Sequence, residues 1–257
     1  MEIWGVDAHA RGVMERVLAE ESATREHVVV YLSGAHAYGF PSPDSDLDLK
    51  AIHVAPTSSL LGLTPLPPTH DRMGFVDGVE IDYTSNELGH ALGGILRGNG
   101  NFIERVLGAS IVQRSEPLAS LAPLVQRSLS RRAAHHYRGF AQGQRIELAK
   151  TPTVKKLLYV LRTALTGIHL MEAGELITDV RETARAHGVT NVEGLIERKR
   201  AGEKTPLAQS EADAWAKKMD VLFEKLELAR DRSPLPAEPS NGGEIEAWLV
   251  ETRKTRL

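Results

Sequence analysis

Apolar residues follow two different periods along this chain of 257 residues, and the change from one to the other falls near residue 115. Val13, Met14, Val17 and Leu18 recur at helical spacing among charges, so residues 9–22 read as an amphipathic helix. His27 to Leu32 is a β-branched run that enters a Gly-rich turn, and it reads as a buried strand. Leu47 to Val54 reads as the next strand, ended near Pro56, and the Pro-, Ser- and Thr-rich stretch from Thr57 to His70 as an irregular connection. Between Phe75 and Thr84, Asp77-Gly78 separates two short runs, a strong hairpin signal. On the returning run Val79, Ile81 and Tyr83 share one face, while Glu80 and Asp82 share the other.

From Ser85 the period becomes helical, with Leu88, Leu92, Ile95 and Leu96 on one stripe, Ser85 as the expected N-cap and Gly98 as the stop. Gly98 to Asn101 reads as a turn into a short apolar segment that runs through Leu107. Beyond about residue 115 no strand is expected. Leu118 to Leu148, Val154 to Ala173, Glu193 to Arg200 and Ala208 to Asp231 read as helices. A Pro-rich crossing from Ser233 to Pro239 precedes a last helix, Glu244 to Thr252. The pattern predicts an α+β fold, with residues 1–115 as one domain and an all-helical domain at 116–257. No internal repeat is visible.

Composition narrows this only a little. Hydrophobic content of 42% and charged content of 25% are ordinary for a soluble globular protein. The net charge of −3 carries no global signature of nucleic-acid binding, so such a function would need a local patch. No stretch approaches the roughly 20 apolar residues that span a bilayer, and Met1 to Trp4 shows no basic-then-apolar leader pattern. With no cysteine there is no disulfide framework and no thiolate ligand or nucleophile. The expectation is a cytoplasmic protein without a membrane partner.

The chemistry concentrates in three carboxylates and a turn. Asp46 and Asp48 stand two apart, and in a strand such residues project to the same face. Two like charges held together are unfavourable unless a cation joins them. Oxygen-only ligation suits Mg²⁺, which shares its shell with substrate phosphates. Asp82, on the polar face of its strand, is the third expected ligand. The turn Ser33-Gly34-Ala35-His36-Ala37-Tyr38-Gly39 comes directly before the acidic pair. Gly34 and Gly39 have no Cβ, so phosphate oxygens can approach backbone N–H groups there. Asp-x-Asp alone is common in turns and on solvated strands, and Gly pairs alone usually mark turns. Their order along the chain is what points to phosphoryl or nucleotidyl transfer, with two metal ions roughly 3.5–4 Å apart bracketing an in-line displacement.

These residues resemble the DNA polymerase beta-like nucleotidyltransferase superfamily, whose signature is a Gly-Ser turn followed by Asp-x-Asp and a later Asp. Within it the chain is most similar to the RNA repair pathway DNA polymerase beta family of bacteria and phages. Gly34 through Gly39 matches that family's Gly-Ser-x-Ala-Tyr-Gly turn, and Pro43 through Asp48 its Pro-x-Ser-Asp-x-Asp. Leu96-Arg97-Gly98-Asn99-Gly100-Asn101 matches its helix end, and Lys155 through Arg162 resembles its later basic helix. The likeness covers roughly residues 28–175. It implies a short mixed sheet flanked by helices, Mg²⁺ as cofactor (two ions, replaceable by Mn²⁺) and a nucleoside triphosphate such as ATP as substrate. It makes Asp46, Asp48 and Asp82 both metal ligands and catalytic groups, with Gly34, Ala35, His36, Tyr38 and Gly39 around the nucleotide. One departure stands out: the turn serine of the superfamily is Ala35 here. Losing one neutral hydroxyl contact is worth about 0.5–1.5 kcal/mol.

Between Arg127 and Arg162 nine basic residues face a single acid, Glu147. Long basic side chains usually line a solvated face, yet a triphosphate or polynucleotide would also account for the cluster. Arg138, Lys155 and Lys156 are the expected triphosphate contacts. His36 reads equally as a phosphate donor or a local turn contact, and His135-His136-Tyr137 equally as a base-stacking surface or a half-buried helix face. Asp44 reads as a turn residue. Three functions remain open at this level: transfer of a nucleotide to an RNA or DNA end, transfer to a protein or small-molecule hydroxyl, and a non-catalytic nucleotide-binding module.

Overall fold

In the structure, a computed structural model, residues 5–202 and 205–257 are described, and the Met1–Trp4 segment read above lies outside them. Contacts divide the chain into two compact units. One comprises residues 1–34, 46–128 and 239–257; the other comprises residues 35–45 and 129–238. The chain thus leaves the first unit within the Gly-rich turn, returns just before Asp46, and comes back a last time for its final helix. This partition differs from the linear division at residue 115.

The first unit is built on a five-stranded sheet. Its strands are β1 (Glu26–Leu32), β2 (Leu47–Val54), β3 (Thr69–Val76), β4 (Val79–Glu87) and β5 (Ile111–Arg114), in the order β3-β4-β2-β1-β5. Only β2 and β4 pair in parallel; the other neighbours are antiparallel. The β3–β4 turn forms as the sequence demands: Asp77 and Gly78 both have positive φ (48° and 80°), the backbone that a tight two-residue hairpin requires. Helix α1 (Ala8–Ser22) begins where the Asp7 side chain accepts from the Ala10 N–H at 2.7 Å. It lays Val13, Met14, Val17 and Leu18 on Val30, Leu32, Leu49, Ala51, Ile81 and Tyr83, one face of the sheet.

The other helices of this unit follow the expected pattern with corrections. Ser85 is not a cap: it lies fully buried inside β4, and Glu87 caps α3 (Leu88–Leu96) by accepting from the Gly89 and His90 N–H groups. The segment expected only as apolar is a helix, α4 (Gly100–Leu107), capped by Asn99. The single helix expected over Leu118–Leu148 is two, because Ser128 ends α5 (Glu116–Arg127) and turns its hydroxyl back onto the Val125 carbonyl. Strand β5 was not foreseen, and α11 (Gly242–Lys254) packs on α3 and α5.

The second unit holds the short helix α2 (Gly34–Ala37, from its second residue on) and a helical body: α6 (Ala133–Lys150), α7 (Val154–Ala173), α8 (Val180–Ala186), α9 (Val192–Arg200) and α10 (Gln209–Arg232). Helix α7 is the axis, buried almost all round, with α6, α8, α9 and α10 packed against it. It stops at Gly174, whose φ of 72° is the left-handed cap position. Helix α8 was missed, its seven residues being too few to show a period. Among the described residues no helix is long and apolar enough to cross a membrane.

Candidate functional site

The acidic cluster lies in the first unit, on the sheet face opposite α1. Asp48 and Asp82 are direct register partners across the parallel β2–β4 ladder, so both carboxyls leave the same face side by side. Asp46 stands one residue before β2. Packing explains why this arrangement holds: Leu47 and Leu49 are buried toward α1, and a shift by one residue would exchange them for the aspartates.

Like charges at this spacing strain one another electrostatically. Burial first, then the charges of Asp46 and Asp82, push the Asp48 carboxyl up to about 7. Lys50, two residues further along the same face, answers part of that charge. Its ammonium lies 2.8 Å from an Asp82 oxygen and 3.7 Å from an Asp48 oxygen. No three His, Asp or Glu side chains among the described residues stand in a ready-made ion-holding group. The donor set nevertheless fits a hard divalent cation: oxygen ligands only, like charges crowded together, and one carboxyl that burial and its neighbours' charges push upward.

Gly34 completes this side of the site. Its φ is +63°, and a Cβ there would collide with Oδ2 of Asp48. The Ser33 N–H donates to the Asp48 carbonyl at 2.7 Å, so the start of the turn is pinned to the strand that carries the acidic pair. The glycine is therefore needed twice over, for its backbone and for its lack of a side chain.

The rest of the turn is held within the second unit. Ala35, His36 and Tyr38 are all buried. The Arg162 guanidinium lies 3.3 Å from the centre of the Tyr38 ring, and Tyr159 meets that ring edge-on. The Ala37 carbonyl accepts from Thr178, and the Tyr38 carbonyl from the Val180 N–H. At Gly39, φ is +86° and a Cβ would strike the Asp179 carboxylate. Further along, Lys199 of α9 is completely buried and donates to the hydroxyls of Ser42 (2.5 Å) and Ser45 (2.9 Å). Ser45 directly precedes Asp46. Nothing in the sequence announced Lys199 or Lys50, because their partners are set by the fold rather than by a motif.

The basic segment looks different once folded. Arg138 pairs with Glu227 and lies over the Phe223 ring; Arg145 pairs with Asp220 at 2.7 Å; Arg132 pairs with Glu238. Lys150 pairs with Glu147, and the Lys156 ammonium donates to the Glu147 carbonyl. Lys155 is half-buried on α7. Tyr137 is fully buried, which removes it from any stacking surface, while His136 stacks on the exposed Phe140 ring at 9°.

The model of the RNA repair pathway DNA polymerase beta family matches residues 10–251. The chain belongs to this family. An uncharacterized protein of Methanocaldococcus jannaschii is 29% identical over 154 residues, which cover 59% of this chain and 63% of that protein. The match thus spans less than two thirds of that relative's length. A crystal structure of a nucleotidyltransferase-like protein from Exiguobacterium sibiricum aligns over 95% of this chain and 79% of that one, at 11% identity and a TM-score of 0.34.

Proposed function

We propose that this protein is a divalent-cation-dependent nucleotidyltransferase that moves a nucleoside monophosphate from a triphosphate to a hydroxyl, most directly the end of an RNA or DNA strand. The observation that carries this reading is the Asp48–Asp82 pair, two carboxylates leaving one face of the sheet, with the charge of Asp46 felt at Asp48 and the Lys50 ammonium against Asp82. Asp46, Asp48 and Asp82 would hold Mg²⁺ or Mn²⁺, which when bound offsets the charge that builds on the phosphate oxygens. Loading requires Lys50 to swing away from Asp82, a motion open to a partly exposed side chain. In the reaction the acceptor hydroxyl gives up its proton to solvent, its oxygen bonds to the α-phosphorus, the bond from that phosphorus to the bridging oxygen breaks, and pyrophosphate leaves. Asp82 is assigned the attacking hydroxyl, and Gly34 the close approach of the phosphates. Contacts of Arg138, Lys155 and Lys156 with the triphosphate belong to the same proposal. The family's description as an RNA repair group favours a nucleic-acid acceptor.

A second reading keeps the chemistry and changes the acceptor to a protein or small-molecule hydroxyl. It is favoured by the pairing of Arg132, Arg138 and Arg145 with acids, which reduces the basic surface offered to a polynucleotide. Incubation with each α-³²P-labelled triphosphate, Mg²⁺, and RNA, DNA and protein fractions separates the two. Label on nucleic acid supports the first, label on a polypeptide or small molecule the second, and no label in any fraction overturns both.

A further inference from the structure

Strand β3 is an edge of the sheet, and its two faces are unlike. Arg72 turns toward α1, where it meets Glu20 and Glu21. Its neighbours Met73 and Phe75 therefore turn to the opposite face, the face of the acidic cluster. Register places Met73 directly against Asp82 and Phe75 against Glu80. Directly opposed Cβ atoms lie about 4.5–5.5 Å apart and diagonal ones about 7–8 Å, so both side chains are neighbours of Asp82. Yet Met73 is 76% and Phe75 72% exposed. Single exposed apolar residues are ordinary, but two in succession on a sheet edge invite aggregation unless something covers them. Among the described residues, the packing of β3 leaves both side chains largely open to solvent.

We infer that Met73 and Phe75 form the platform on which the terminal nucleobase of the acceptor strand stacks, delivering its hydroxyl to Asp82. The inference rests on the transferase reading for the identity of the occupant. Two observations and one general property of bases select this occupant. The platform is continuous with the carboxylate assigned to the attacking hydroxyl, so its occupant is the acceptor and not the triphosphate. Asp71 lies on the same strand face and Glu80 opposite Phe75, both exposed, and this negative border repels backbone phosphates while tolerating a neutral ring. An aromatic face with a polarizable thioether beside it accepts any base, because every base has a π-face. The terminal nucleoside would thus be held by stacking, and its strand's phosphates would be directed away from this edge.

The test uses the full chain and a short single-stranded RNA ending in 2-aminopurine, whose fluorescence is quenched on stacking, together with transfer kinetics on unmodified RNA. The wild type should quench the probe, Phe75→Ala should lose the quench, and Phe75→Trp should restore it. Phe75→Ala should raise KM for the RNA about tenfold, with KM for the triphosphate unchanged, and Met73→Ala should do so less. Because no phosphate contact is removed, the slope of log affinity against log salt should not change. Transfer to RNA without quenching, or with Phe75→Ala behaving as wild type, overturns the platform and leaves the transferase standing. Quenching abolished by Phe75→Ala, with no transfer under any condition, overturns the transferase and keeps the platform. Labelling of a polypeptide together with an unquenched probe shows that the apolar edge serves a protein, and the inference falls.

Discussion

The acidic face of the sheet and the basic helices of the second unit began as mirror images, each a local excess of one charge. Folding treats them in opposite ways. The arginines of α6 find acids on α10 and beyond it: Glu227, Asp220 and Glu238 come from about 75 to 106 positions later in the chain. The aspartates are instead brought closer together, since β2 and β4 run side by side in register, and among the described residues Lys50 answers them. Charge counted along a helix overstates what the folded surface presents, because packing supplies partners from distant sequence. Charge counted along paired strands understates it. The imbalance that survives folding is the better guide to where a ligand is needed.

That contrast can be broken most sharply at Asp48. Asp48→Asn should lower the transfer rate about a thousandfold or more, as expected when several kcal/mol of charge stabilisation are lost, measured by single-turnover incorporation. Folding should survive, because neutralising a carboxyl already pushed up to about 7 removes repulsion. In the second unit the large effect should be on stability instead. Lys199→Met removes the buried ammonium that donates to both the Ser42 and Ser45 hydroxyls and should cost about 1–3 kcal/mol in chemical denaturation.

Acidity offers a third comparison. A carboxyl whose folded value is raised binds more protons folded than unfolded, so its contribution to stability is greatest at low pH. It is lost between the ordinary value of 3.8 and about 7. The melting temperature without divalent cations should therefore fall across that window through the Asp48 group, and Asp48→Asn should flatten the dependence. Added Mg²⁺ should raise the melting temperature more at pH 8 than at pH 5. Lys50→Ala should tighten Mn²⁺ binding about tenfold by removing a competing cation, read by electron paramagnetic resonance. The smallest effect should come from Arg145→Gln, less than threefold on RNA affinity, since exposed pairs such as Arg145–Asp220 hold the charge already. A salt slope reduced by about one per arginine removed would instead return the basic helices to a role in binding.

Much of the fold was legible where a local rule was strict. The Asp77-Gly78 hairpin, β2 from Leu47 to Val54 and α7 from Val154 to Ala173 form where the pattern put them. What escaped was decided by tertiary contact. Four-residue β5 exists because β1 has a free edge to pair with. Ser85 reads locally as a cap, but its hydroxyl 2.7 Å from His53 Nδ1 keeps it in the sheet. The Asp46–Asp48 pair was visible from spacing alone, and the polar face of Asp82 from the hairpin's alternation, while their meeting needed β2 and β4 to pair. Lys50's part in it, the burial of Lys199 and the exposure of Met73 and Phe75 all depend on which strand or helix arrives opposite, and a single sequence does not record that.

The return of α11 to the first unit sets an order of events during synthesis. Arg253, in its last turn, grips the Glu87 carboxylate that caps α3, and Arg256 just beyond holds Glu26 at the start of β1. A ribosome must therefore release the whole helical insertion before the sheet unit receives its closing clasp. Until then the capping carboxylate lacks its guanidinium, and a nascent chain halted near residue 238 would carry all three aspartates on an unfinished scaffold.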